Sequence, residues 1–478
     1  MNIGRQSIGH ALLIPLPYQG HINPMMQLAW KLVSNGFLVT FLNTDFNHNR
    51  IMQAKTRNPI HNNWDGGIRM ISIPDGLPPD DERTNIPNLL EALDNSMAPS
   101  VIMRLIEEIN EREEEHKVSG IIVDAMTCFG LKEVADLYQI PIFAFHASLV
   151  ANCALRYFIP RLISLGILGP NGAPKEDQKK IRYISSMPPL RSGDLPWLFG
   201  GEKMFKRCIR MGEGLKQIKM VLTNSFFELD GPVVEELSRD LEVYPIGPLI
   251  PGEFLEGAKR STSKALPSFW ANDVDCLEWL DKQSTQSVIY VSFGSLAVWS
   301  QSQVEEFAAG LEATQRPFLW VVRSDLIEGS KTIFPPGFLE RVRNRSCIVF
   351  WAPQLEVLSH PCIACFVTHC GWNSVQESIT MGVPMLCSPY FVDQFLNRTY
   401  IVDVWKIGLP LESNKDGIIE KAEIAKAVDR LLVGEDGAEI RKQVTKLMRT
   451  SRDTVKEGGS SFNNYRLFLQ QMKKKLVD

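Results

Sequence analysis

Residues 351–394, WAPQLEVLSHPCIACFVTHCGWNSVQESITMGVPMLCSPYFVDQ, decide how this chain is read. The apolar run 363–367 has the length and composition of a buried strand. It breaks off at Thr368-His369-Cys370-Gly371, and a helical pattern over about 373–381 follows, with Gly382 where a C-terminal cap belongs. The local plan is strand, tight turn, helix: Gly371 lets the backbone turn, and Asn373 and Ser374 stand at the helix start. The unused N–H groups and positive dipole end of such a helix favour an anion. His369 and the Ser374 hydroxyl add donors, which points to a phosphate or diphosphate. Trp351 and Gln354, before the strand, lie in a Pro-containing loop suited to stacking on a flat ring and bonding its edge. Glu377 and the pair Asp393-Gln394 can accept hydrogen bonds from sugar hydroxyls. Ring, ribose, diphosphate and hexose are then served by one stretch, which reads as a nucleotide-sugar site.

Working outward, the same order of elements recurs. Residues 287–293 read as a strand, Gly294-Ser295 as its tight turn, 301–313 as a helix and 318–322 as a strand. At the other end of the chain, a strand over 11–16 meets the loop 17–24, which holds Gly20 and His21; Pro24 opens a helix to about 34, and a strand over 37–42 follows. Such β-loop-α-β units imply parallel sheets with ligand sites at the carboxyl ends of their strands. His21 lies at one such end, and Asp124 closes a second strand over 120–123. The run 107–117 reads as a solvated helix, 140–145 as a strand, the segment to about 165 as helical, and 221–223 as a strand. Residues 166–205, rich in Pro, Gly and charge, read as a long surface insertion, and 244–272 as an interdomain linker. Helical patterns at 420–433, 438–456 and 461–474 finish the chain. The expected division is an N-terminal domain at 1–250, a linker at 251–285, a C-terminal domain at 286–458 and a last helix at 459–478.

Bulk properties narrow the class. A length of 478 residues supports two or three domains, and 44% hydrophobic with 22% charged residues is ordinary for a globular protein. A net charge of −4 with no basic stripe speaks against nucleic acid as the main partner. Nine scattered cysteines form no disulfide framework and fit a reducing compartment. The apolar run at 11–16 is too short for a signal peptide, and nothing approaches the ~20 residues that span a bilayer. The expected location is cytoplasmic.

Other constellations have plainer readings. His360, Cys362, Cys365, His369 and Cys370 resemble a zinc set, but the C-x-x-C has no second pair and Cys365 falls in the buried strand, so packed thiols are the simpler reading. Asp273 and Asp275 form a D-x-D of the kind that holds a metal, yet they stand just before a helical segment and read as helix-start residues. P-loops, G-x-G-x-x-G fingerprints and G-x-S-x-G elbows are absent from the sequence, which weakens kinase, dehydrogenase and esterase readings. Taken alone, His21 and Asp124 are most simply a loop histidine filling a hydrogen bond and a helix cap.

The stretch at 351–394 resembles the C-terminal signature of plant family-1 UDP-dependent glycosyltransferases, with Trp351, Gln354, His369, Gly371-Trp372-Asn373-Ser374, Glu377, Pro384 and Asp393-Gln394 at the family's spacing. Gly20-His21-Ile22-Asn23-Pro24 is similar to the loop holding that family's general base, and Val123-Asp124 to its orienting acid. The resemblance implies an α/β fold of the GT-B type, two Rossmann-like parallel-sheet domains facing across a cleft, with the last helix packing back on the N-terminal domain. It implies a UDP-sugar site at Gly20, Ser295, Trp351, Ala352, Gln354, His369, Gly371, Trp372, Asn373, Ser374, Glu377, Tyr390, Asp393 and Gln394. Catalysis then rests on His21, oriented by Asp124, and the acceptor pocket draws on Met126, Phe129, His146 and Trp197. A neutral imidazole takes a proton at cellular pH, and a carboxylate on its other nitrogen fixes the tautomer and stabilises the imidazolium.

The implied reaction is inverting transfer of glucose from UDP-glucose to a flavonoid or other small phenolic, by a monomer without metal or other cofactor. Gln at position 394 goes with glucose in this family, where His there goes with galactose. The implied partners are the UDP-sugar and a small-molecule acceptor, with no nucleic acid and no membrane span. Two other readings stay open: a sugar-nucleotide sensor without turnover, and a sugar-nucleotide epimerase on the same architecture.

Overall fold

The computed structural model describes residues 7–57, 67–81, 83–112, 116–175, 180–258, 273–295, 297–323 and 334–473. The chain forms two compact units: residues up to 251 together with those from 453 on, and a second holding 252–258 and 273–452. Part of the expected linker, 259–272, lies outside the described residues.

Seven parallel strands make the sheet of the first unit: β1 (His10–Ile14), β2 (Leu38–Thr44), β3 (Ile68–Ile73), β4 (Gly120–Asp124), β5 (Ile142–His146), β6 (Met220–Thr223) and β7 (Glu242–Pro245). Their order across the sheet is β3-β2-β1-β4-β5-β6-β7. β1, β4 and β5 are buried at every position, as expected of parallel strands covered on both faces. Six parallel strands make the second sheet: β8 (Val288–Ser292), β9 (Phe318–Val321), β10 (Ser346–Val349), β11 (Ile363–Thr368), β12 (Met385–Cys387) and β13 (Gly408–Pro410). Their order is β10-β9-β8-β11-β12-β13. Its two faces support separate cores, one around Phe307, Trp320 and Val367 and the other around Tyr290, Leu319 and Phe366. Strand order reverses between β1 and β4 in one sheet and between β8 and β11 in the other. At such switch points the crossovers leave in opposite directions and open a crevice at the strands' carboxyl ends.

Three readings change. The first helix runs Gln19–Ser34, so Pro24 lies inside it and His21 sits in its first turn, not in a loop. Pro24's missing N–H falls opposite the Gly20 carbonyl, close enough to the helix start to be tolerated. The insertion is not merely a surface segment: Met187, Leu190, Leu195 and Trp197 are buried, and its end enters the helix Gly201–Ile218, to which the sequence reading gives no element. Residues 244–245 belong to β7, not to a linker. Asp275 begins the helix Asp275–Asp281, which lies in the second unit. The last helix, Ser460–Lys473, lies in the first unit, where Phe468 meets Phe143 edge-on with ring centroids 4.8 Å apart.

Candidate active site

His21 follows β1 and Asp124 ends β4, so both stand at the first sheet's switch point. The His21 and Ile22 N–H groups both reach the Tyr18 carbonyl at 2.9 Å, which pins the helix start. His21 Nδ1 lies 2.6 Å from Asp124 Oδ2, and the second carboxylate oxygen accepts the Met126 N–H at 2.9 Å. Burial by itself pushes the Asp124 pKa up. The His21 partner and the hydrogen bonds from His21 and Met126 outweigh it and hold the carboxyl below its ordinary value. An ionised carboxylate on Nδ1 makes that nitrogen the donor and Nε2 the basic one. The imidazole is 28% exposed while the carboxylate is 1%, so the ring meets solvent and its partner does not.

Of the residues expected in the acceptor pocket, Met126 is buried and its N–H reaches Asp124, while Phe129 lies under two guanidinium groups, with Arg207 4.5 Å and Arg210 3.7 Å from the ring centroid. His146, at the end of β5, is buried and donates from Nε2 to the Leu149 carbonyl at 3.2 Å. Burial, with the nearby Arg156 charge, pushes its pKa down to about 3, so the ring is neutral. Trp197 is fully buried, and its indole N–H donates to the Gly172 carbonyl at 2.9 Å.

The second sheet's switch point is lined by Gly294 and Ser295 after β8 and by His369 to Gly371 after β11. Cys370 turns with φ 64°, its N–H held by Thr368 Oγ1 at 3.1 Å, and Gly371 is the N-cap of the helix Trp372–Met381. Gly382 caps that helix in the left-handed conformation. Gly294 and Gly371 both press on the His369 ring: a Cβ on Gly294 would lie 2.6 Å from His369 Nε2, and one on Gly371 would overlap the same atom. Burial drives the His369 pKa down to about 4 despite Asp393 and a hydrogen bond to the Ser292 backbone, so the ring is neutral. Arg323, which the sequence reading passed over, is buried and donates to the Gly294 carbonyl at 2.8 Å.

Gln354 has another task than the ring-edge bonding expected of it. Its carbonyl accepts the Tyr290 hydroxyl at 3.2 Å, and its amide donates to Ser374 Oγ at 2.9 Å and to Glu377 Oε2 at 2.6 Å. Both N–H groups are thereby committed inside the protein. Because Ser374 accepts from Gln354, its own hydroxyl hydrogen is directed elsewhere. Tyr290 fixes the amide's orientation, and its hydroxyl in the mostly apolar strand Val288–Ser292 was the trace of this in the sequence. Burial raises the Glu377 pKa to about 7, partly opposed by Gln354.

Trp351 and Ala352 follow β10, and the Trp351 carbonyl accepts the Asp273 N–H at 2.9 Å. Trp372 is buried against Trp405, ring centroids 6.2 Å apart. Tyr390 is exposed and Gln394 buried; the Gln394 carbonyl takes the N–H groups of Tyr390 and Phe391 at 2.8 and 3.1 Å, so only its amide N–H groups remain to face a ligand. Between them Val392 adopts φ 53°, an unusual conformation for a β-branched residue, which sets the angle at which Asp393 leaves the loop. Asn397 ties the two halves of the site, donating to the Cys370 carbonyl at 2.9 Å and to Asp393 Oδ2 at 3.3 Å.

Of the metal-like sets, Cys362 and Cys365 pack into different cores, and Asp273 Oδ1 accepts the Asp275 N–H at 3.1 Å. Among the described residues no three His, Cys, Asp or Glu side chains gather as a metal site, and no helix is long and apolar enough to cross a membrane.

Two family models match the chain: "UDP-glucoronosyl and UDP-glucosyl transferase" over residues 253–453 and "Glycosyltransferase, N-terminal domain" over residues 10–164. A 7-deoxyloganetin glucosyltransferase of Gardenia jasminoides is 34% identical, covering 96% of this chain and 97% of its own length. An (R)-mandelonitrile beta-glucosyltransferase of Prunus dulcis is 34% identical over 95% of each chain. The crystal structure of Os79 from O. sativa in complex with UDP aligns with a TM-score of 0.78 at 26% identity, covering 97% of this chain and 100% of the other.

Proposed function

The chain belongs to the UDP-glucuronosyl and UDP-glucosyl transferase family and is a glycosyltransferase, and from that premise we propose that it moves glucose from UDP-glucose to a hydroxyl of a small lipophilic acceptor, with inversion and without a metal. The observation that carries the mechanism is the 2.6 Å contact between His21 and a buried, ionised Asp124 at a sheet's switch point. His21 Nε2 takes the acceptor proton while the oxygen attacks the anomeric carbon, and the C–O bond to UDP breaks. The charge left on UDP is met by the helix start at Trp372–Met381, the Ser374 hydroxyl and neutral His369. Glu377 accepts from the ribose hydroxyls, Trp351 stacks on uracil, and Asp393 with the Gln394 amide reads the hexose. Relatives named for an iridoid and for a cyanohydrin widen the acceptor class beyond flavonoids and other phenolics.

Incubation with equal UDP-glucose and UDP-galactose, EDTA and a panel of a flavonol, an iridoid and a cyanohydrin tests this, with products identified by mass spectrometry. Glucoside is expected over galactoside by ~10-fold or more, the ratio that about 1.4 kcal/mol of hydroxyl discrimination gives. Donor isomerised without transfer would indicate an epimerase, donor bound but unconsumed a sensor, and activity lost to EDTA and restored by Mg²⁺ a metal enzyme.

Glu377 gives a second test. With its carboxyl raised to about 7, it is protonated below that pH, and the carboxylate is the form that accepts from two hydroxyls at once. UDP-glucose affinity should therefore climb as pH rises from 5.5, by up to ~10-fold per unit, and level off above 7. Calorimetry on Glu377→Gln should show no such slope; a slope that persists would remove Glu377 from the ribose.

A further inference from the structure

Tyr290 lies in the middle of β8 and is buried, its ring stacked on Phe366 with centroids 4.8 Å apart. A phenylalanine would fill that space equally well, so what the position adds is the hydroxyl. A phenol has one hydrogen to give, and Tyr290 gives it to the Gln354 carbonyl at 3.2 Å. Ser292 stands two residues on, on the same face of the strand, and its hydroxyl donates to Tyr290 in turn. The Gln354 amide is thereby held with its nitrogen towards Ser374 Oγ at 2.9 Å and Glu377 Oε2 at 2.6 Å.

That orientation favours one protonation state of Glu377. Opposite an N–H, the carboxyl is best matched as an ionised acceptor. Turned over, the amide would present its carbonyl, which repels a carboxylate and accepts a hydrogen bond from a carboxylic acid. Burial raises the Glu377 carboxyl, and Gln354 is the group that opposes it. The charged side chains on neighbouring elements act elsewhere. Glu356, on the helix Gln354–Ser359, acts on Cys276; Arg398, on the helix Gln394–Thr399, acts on Cys370; and Asp393 acts on His369. Arg452 donates to the Thr380 carbonyl at 3.1 Å, at the far end of the helix that holds Glu377.

We propose that Tyr290 is a positioning residue for the donor: by fixing the Gln354 amide as a hydrogen-bond donor, it keeps Glu377 an acceptor for the ribose hydroxyls. The proposal rests on the reading of Glu377 as the ribose contact, and its test separates the two.

Calorimetry of UDP-glucose on the full chain, from pH 5.5 to 8.5, compares the unaltered protein with Tyr290→Phe, Gln354→Met, the double variant and Glu377→Gln. The diester phosphates of UDP-glucose do not titrate in this range, so a slope belongs to the protein. Glu377 binds when ionised, and in Tyr290→Phe the amide is free to turn and accept from the protonated form. The rise in affinity should therefore move up by ~0.5–1 pH unit, the equivalent of one net hydrogen bond. Affinity should be ~2–5-fold lower at pH 7 and regain most of that by pH 8.5. Lost packing alone would lower it by one factor at every pH. Gln354→Met should displace the midpoint in the same direction, and adding Tyr290→Phe to it should displace it no further, because Tyr290 acts through the amide. A midpoint unmoved in either single variant, or moved by Tyr290→Phe equally with and without Gln354, would overturn the proposal; if Glu377→Gln is flat, the ribose reading survives that result. A slope that persists in Glu377→Gln removes Glu377 from the ribose, and the proposal with it.

Discussion

Replacing His21 by alanine should lower turnover on a weakly acidic hydroxyl acceptor by ~10²–10⁴-fold, with UDP-glucose affinity nearly unchanged. The acceptor oxygen is a poor nucleophile until it loses its proton, and the imidazole in the first turn of the helix Gln19–Ser34 is the group proposed to take it. Asp124→Asn should fall in the same range although it keeps the size of the side chain. An amide can donate to Nδ1 and so invites the tautomer whose Nε2 holds a hydrogen, which cannot act as base. The double variant should be little worse than either single one, because the two residues act as a unit. A pre-ionised acceptor such as a nitrophenolate should blunt all three effects, since it needs no base. Steady-state kinetics with a phenol and a nitrophenol decide the point. Most activity retained in His21→Ala on the phenol would end the assignment.

Gly371→Ala should weaken UDP-glucose binding by ~10–100-fold, the penalty of roughly 1–3 kcal/mol that overpacking imposes. Any Cβ there overlaps His369 Nε2, and the ring has little room to retreat because Gly294 packs against it as well. The ring must swing aside, or the turn that opens the helix Trp372–Met381 must shift; either would spoil the donors proposed to meet the diphosphate. His369→Ala removes the obstruction together with the ligand group. Combined with Gly371→Ala, it should therefore give a loss well short of the sum of the two, the mark of residues in contact. Calorimetric titration of the three variants measures this. Unaltered binding in Gly371→Ala would mean that the diphosphate is held elsewhere.

Much of the proposed donor site was legible because it is written consecutively. Within residues 351–394, the β11 strand, its turn and the following helix are successive elements, and the closeness of Gly371 to His369 follows from two residues of backbone. The apolar runs of β1, β4, β5, β8 and β11 announced parallel sheets for a similar reason: a strand covered on both faces has no polar side to show. The short strands β12 and β13 carry three residues each and no period to read. The helix Gly201–Ile218 escaped notice because Gly212 and Gly214 interrupt it. Those glycines are what let it approach its neighbours: a Cβ on Gly214 would lie 2.7 Å from Cys128 Sγ.

Local sequence, then, determined the strand–turn–helix proposed to receive an anion, the residues at its mouth and the family-like order of elements around it. Tertiary structure decided which side chains work together. His21 and Asp124 are 103 residues apart and meet only because β1 and β4 pair in parallel register at the point where strand order reverses. Gln354 looked available to a base, but hydrogen bonds from Tyr290 and to Ser374 and Glu377 had already claimed it. The physical reason is the same in each case. Backbone conformation answers to near neighbours in the chain, whereas burial, charge pairing and hydrogen-bond satisfaction depend on groups that long parallel crossovers bring from elsewhere.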